Sequence, residues 1–132
     1  MRILFAAILA VAPAMPTFAD YRLELIDTGQ RAYYCTATIR LTNATQTPLT
    51  ELSGYFLLHI GNEQVGRSKG TWFLNVPAGG SADAVFETPN APCESVDRYD
   101  YVIGACRFGK NFAAVEECAA LIAPTAPVVL SE

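Results

Sequence analysis

His59 is the only histidine in the chain, so any imidazole-based acid–base or nucleophile-activating chemistry would have to run through it. A hydrolytic triad would need Ser53 or Ser68, and an acid such as Asp83, to converge on His59 from separate strands. Nothing in the spacing brings them together, so His59 reads as a surface or interface histidine. The carboxylate pairs are no better placed. Glu116 and Glu117 are consecutive in a helical segment and diverge. Asp97 and Asp100, near Glu94, lack the regular acidic ladder of a dedicated calcium loop. Arg67 and Lys69 lie among Gly61, Gly66 and Gly70, but no helix follows to receive an anion, so these glycines do not form a phosphate cradle. Basic side chains there suit a hairpin edge that resists edge-to-edge pairing. No cofactor motif is present, and no cofactor is expected.

The cysteines carry more information. Cys35, Cys93, Cys106 and Cys118 are even in number, and their spacing contains no C-x-x-C pair of the kind zinc sites use. Two disulfides are expected. Cys106 and Cys118 flank a segment short enough to fold back on itself, which would leave Cys35 to reach Cys93. The other arrangement sends Cys35 across the core to Cys106, as sandwich domains often do. The first is favoured.

The N-terminus points to an oxidising compartment as well. Met1 and Arg2 precede an apolar run from Ile3 to Val11 and a small-residue stretch ending at Ala19, the three regions of a secretory signal peptide. The apolar run is about half the ~20 residues of a spanning helix, and Pro13 and Pro16 follow it. Residues 1–19 therefore read as a signal peptide, 20–122 as the folded domain and 123–132 as a flexible tail, with no membrane span after cleavage. Removing the signal takes the net charge from −4 to about −5. Such a surface repels phosphate backbones, which argues against a nucleic-acid partner.

These residues must be positioned by strands. Tyr21, Leu23 and Leu25 alternate with Arg22, Glu24 and Ile26, and from Tyr33 to Thr42 the positions Tyr33, Cys35, Ala37, Ile39 and Leu41 share one face. The polar stretch from Asn43 to Leu49 is a loop, and its Asn43-Ala44-Thr45 sequon reads as turn chemistry. Leu52, Phe56, Leu58 and Ile60 point one way; Ser53, Tyr55, Leu57 and His59 point the other. Trp72, Leu74 and Val76 form the next inward stripe, leaving Phe73 outward, and Ala82, Ala84 and Phe86 form the one after. Tyr99, Tyr101, Ile103 and Ala105 share a face. Asn111 can cap a short helix with Phe112, Val115, Cys118, Leu121 and Ile122 on its apolar side. One sheet packed on another would bury all these stripes.

Asn43-Ala44-Thr45 with Pro48-Leu49, Val65-Gly66 after the next strand, and the run from Phe73 to Ala82 together resemble the small bacterial immunoglobulin-like modules of the FxLYD kind. Phe56-Leu57-Leu58-His59-Ile60 stands where that family's own signature would be, and the family does not call for the four cysteines or the C-terminal helix. The resemblance implies a non-catalytic binding or spacing domain. The expected fold is an all-β, immunoglobulin-like antiparallel β-sandwich with a short C-terminal helix. The expected role is an exported protein-interaction module of the bacterial periplasm or cell envelope that binds a protein partner. The alternatives are a binder of small ligands or envelope glycans and, behind it, a hydrolase. The outward side chains Tyr34, Tyr55, His59, Arg67 and Phe73 are the expected binding surface, because solvent-facing aromatics mark interfaces.

Overall fold

The computed structural model describes residues 20–131; the signal-peptide reading of residues 1–19 lies outside them. Ten strands and one short helix follow in the order β1 (Tyr21–Arg31), β2 (Tyr34–Asn43), β3 (Leu49–Ile60), β4 (Glu63–Arg67), β5 (Thr71–Val76), β6 (Ser81–Pro89), β7 (Arg98–Phe108), β8 (Asn111–Ala113), α1 (Val115–Leu121), β9 (Ile122–Pro124) and β10 (Val128–Leu130). The first sheet has the order β6-β2-β1-β9. The second has the order β10-β7-β3-β4, with β5 also beside β3 and β8 beside β7.

The two sheets share one core because each presents an apolar face at period two. In β2, Cys35, Ala37, Ile39 and Leu41 are fully buried, whereas Tyr33, expected on their face, lies in the turn before the strand and is exposed. From the second sheet, Leu52, Phe56, Leu58, Phe73, Tyr99 and Tyr101 meet them. Phe56 bridges the layers: its ring stacks on Phe86 of the first sheet with centroids 4.9 Å apart and lies 4.7 Å from Tyr101. Burying side chains of this size contributes about 1.5–3 kcal/mol each.

Departures from strict alternation decide which residues reach that core. Ser53 pairs with Ala105 but Gly54 pairs with Ile103, so Gly104 is an extra residue in β7. The bulge switches the strand's parity. Tyr99 and Tyr101 face the core before it and Cys106 after it, whereas Ala105, expected on the tyrosines' face, pairs with Ser53 on the outer side. Opposite the bulge, a Cβ on Gly54 would lie 2.2 Å from the Val102 carbonyl, so only glycine fits this approach.

The expected parity of β5 is inverted. Phe73 is fully buried, and Trp72 and Leu74 are 56% and 54% exposed. Asn75 takes a left-handed conformation at φ 51°, so Leu74 and Asn75 both face outward before Val76 returns to the core. Counting back from Val76 in steps of two therefore assigns the wrong face to Trp72 and Leu74.

The C-terminal region also differs from expectation. Asn111 caps no helix; it opens β8, which folds back on β7 through a turn with Gly109 at φ 61°. Helix α1 begins at Val115 with Ala114 at its N-cap and no side-chain cap, and Cys118 is its buried residue. Phe112 and Val115 are exposed rather than on an apolar helix face. The segment read as a loose tail is strand for much of its length. Tyr21 pairs in parallel with Ile122, and Val128 with Tyr99. Its prolines do not prevent this, because proline is tolerated at sheet edges. The segment crosses from the first sheet to the second and buries Val128 at the margin of the core.

Both disulfides follow the favoured pairing. Cys35–Cys93 ties β2 to a 3-10 turn at Cys93–Ser95, and Cys106–Cys118 ties β7 to α1. Such bonds suit an oxidising environment. Asn43, the sequon residue, is fully buried. Its Nδ2 donates to the carbonyls of Thr47 and Val76, and its Oδ1 accepts from the Thr45 N–H and hydroxyl. This side chain organises the β2–β3 turn.

Candidate interaction surface

The outer face of the second sheet carries three of the exposed large apolar side chains, Trp72, Leu74 and Phe112, and strand register sets them in rows. Leu74 pairs with Glu51, Glu51 with Arg107, and Arg107 with Phe112, so one row crosses four strands. The Glu51 carboxylate lies 3.7 Å from Arg107 Nε, and the Arg107 guanidinium sits 5.9 Å from the Phe112 ring centroid. Phe112 is 67% exposed. In the next row Trp72 pairs with Ser53 and Ser53 with Ala105, and the indole lies close over Gly70, where a Cβ would come within 2.9 Å of it. Beyond that, Tyr55 pairs with Val102, and the Arg67 guanidinium stacks 4.1 Å above the Tyr55 ring. That distance suits a cation–π contact.

The face ends in a polar cluster around His59. Arg98 pairs with His59 across the ladder, and Asp100 pairs with Leu57. Asp100 accepts a 2.8 Å hydrogen bond from Arg98 Nε and lies 3.4 Å from His59 Nδ1. The latter is too long for good hydrogen-bond geometry, and Nδ1 makes no hydrogen bond among the described residues. The His59 carbonyl accepts from the Asp97 N–H.

The expected binding residues therefore divide. Tyr55 and Arg67 stand together on the outer face. His59 is on the same face but only 9% exposed, so it is not a surface histidine; Arg98 and Asp100 crowd its ring. Phe73 points into the core and cannot contact a partner. Tyr34 is exposed but belongs to the first sheet, at the mouth of a cleft between β6 and the β4–β5 connection. Trp72, Leu74 and Phe112 were missed. The available signal was Asn75 just before Val76-Pro77, a residue type that tolerates the left-handed conformation.

The residues considered for catalysis do not converge. Ser53 is six residues along β3 from His59, about 20 Å at strand rise. Ser68 Oγ accepts from the Phe56 N–H and donates to the Lys69 carbonyl. Asp83, on the other sheet, is paired with Arg40 at 2.8 Å. Asp97 Oδ2 accepts from the Gly61 N–H. Among the described residues, no three His, Cys, Asp or Glu side chains cluster as metal ligands would, and no helix is long and apolar enough to cross a membrane.

No family model and no curated protein sequence matches this chain. Among solved structures, one described as the structural characterization of IrmA from Escherichia coli is similar, with a TM-score of 0.62 at 13% sequence identity. The match covers 80% of this chain and 91% of that one. At this identity the likeness is one of fold.

Proposed function

We propose that this chain is an exported, non-catalytic interaction module of the bacterial periplasm or cell envelope, and that a protein partner docks on the outer face of its second sheet. The observation that carries the reading is the placement of Trp72, Leu74 and Phe112. They are the large exposed apolar groups of one face, set beside the Arg67–Tyr55 stack and the Glu51–Arg107 pair. Aromatic and arginine side chains are the commonest energetic anchors of protein interfaces. Two disulfides and the signal-like residues 1–19 support export.

Strand order supports an immunoglobulin-like arrangement, in which β6-β2-β1 faces β7-β3-β4. The parallel pairing of β9 with β1 and of β10 with β7 is a departure from it. The likeness to FxLYD modules belongs at this same level of architecture, as a family of binding domains built on small sandwiches.

Mild crosslinking in the native envelope, with wild type and Trp72→Asp compared, tests the docking reading. One crosslinked species should form with wild type and be lost with the variant while both remain folded. A glycan-binding reading draws on the same exposed Trp72, since aromatic faces also receive sugar rings. It predicts a thermal shift with envelope polysaccharide fragments that Trp72→Asp abolishes.

A further inference from the structure

The cleft between the two sheets at the β6 edge offers a different kind of binding. Among the described residues, strand β6 pairs with β2 on one side and with no strand on the other. The Asn43 N–H donates to the Gly80 carbonyl, and the Asn90 N–H to the Tyr33 carbonyl. Register runs unbroken between these two bonds, so the even-numbered residues of β6 bond to β2. The N–H and C=O groups of Ser81, Asp83, Val85 and Glu87 therefore point to the free edge. Pro89 closes that edge by removing a donor.

Near Val85 and Glu87 the edge opens into a cleft of about 730 Å³, within the ~300–1,000 Å³ typical of ligand sites. Arg67 and Lys69 line it, against the single carboxylate of Glu87. Among the described residues neither cation has an ion-pair partner, although the chain is acidic overall.

We propose that this cleft binds an extended, acidic peptide segment of a partner protein, which adds a strand to the free edge of β6 and sets a carboxylate against Arg67 and Lys69. Strand addition supplies main-chain affinity, and the cations select for acid. The inference does not rest on docking at the outer face of the second sheet; a peptide could bind here even if that face had no partner.

The test titrates the oxidised protein with a capped heptapeptide, Thr-Val-Glu-Val-Glu-Val-Thr, by calorimetry and by amide shifts in a nitrogen-15 labelled sample. Saturable binding is expected, with shifts centred on Val85, Glu87 and the Arg67–Gly70 connection. N-methylating alternate peptide amides on the pairing edge should weaken binding about tenfold or more, as should replacing both peptide glutamates by lysine. Val85→Pro should weaken it similarly, because the Val85 N–H faces the free edge and its loss leaves the β2–β6 ladder intact. Phe112→Asp, on β8 and away from the Arg67–Gly70 connection, should leave this peptide's affinity unchanged, which separates failure here from failure of the outer-face reading. Equal binding of parent and N-methylated peptides would reduce the site to anion capture and overturn the proposal. So would the absence of saturable binding at millimolar peptide, or shifts confined to the outer face.

Discussion

The hydroxyls of Tyr99 and Tyr101 lie in the core without a hydrogen-bond partner among the described residues. An unpaired buried hydroxyl costs about 1–3 kcal/mol, so here the ring supplies the stability and the oxygen detracts from it. Burial pushes the Tyr101 phenol well above its ordinary value of 10.0 and raises that of Tyr99 as well. The sign follows from linkage: the unfolded chain releases these protons at lower pH than the native state does. Their contribution is therefore fully present below about pH 10 and is lost as pH rises toward the native values. Tyr101→Phe should raise stability by about 1 kcal/mol at neutral pH and flatten the decline above pH 10. Urea denaturation at a series of pH values measures both, and a less stable Tyr101→Phe protein would show that the hydroxyl has a bonding role.

At the scale of elements, neighbouring residues of β5 have opposite assignments that mutation can separate. Phe73→Ala should cost about 3–5 kcal/mol as a buried aromatic truncation. Trp72→Asp and Leu74→Asp, on the exposed face, should stay within about 0.5 kcal/mol of wild type. Equal losses at positions 72 and 73, read by chemical denaturation, would contradict the register. Where alternation is unbroken, as in β2 and in β6 from Ala84 to Thr88, the inward stripe could be read directly from residue type. It was lost where one residue changed parity: Asn75 through a left-handed backbone, Gly104 through a bulge. Both are decided by pairing with distant strands, which no local pattern records. For the same reason the Asn111–Ala113 segment reads as a helix start in isolation but is taken by the edge of β7. Residues after Ile122 look like tail until β1 and β7 offer them partners. Tyr55 and Arg67 could be found on the candidate face because β3 keeps its period there; Trp72 and Leu74 could not.

The whole molecule is a two-layer sandwich closed at one margin by its C-terminal strands and open at the other, where β6 and the β4–β5 connection leave a cleft. Its disulfides cross-link unequal lengths of chain. Cys35–Cys93 spans 58 residues and Cys106–Cys118 spans 12. In the chain-entropy account the longer loop contributes roughly 1 kcal/mol more. The Cys35→Ser/Cys93→Ser pair should therefore melt below the Cys106→Ser/Cys118→Ser pair; the reverse order would place the larger contribution in the anchoring of α1.

The docking proposed for the outer face of the second sheet turns on Trp72. Crosslinking in intact cells tests it most directly, with wild type, Trp72→Asp and, as a control on the first sheet away from the β6 cleft, Ile26→Asp. At least one discrete crosslinked species should be lost with Trp72→Asp and kept with Ile26→Asp, with all three proteins equally folded by circular dichroism. Persistence of every wild-type species with Trp72→Asp, or no species with wild type, would rule out docking on this face.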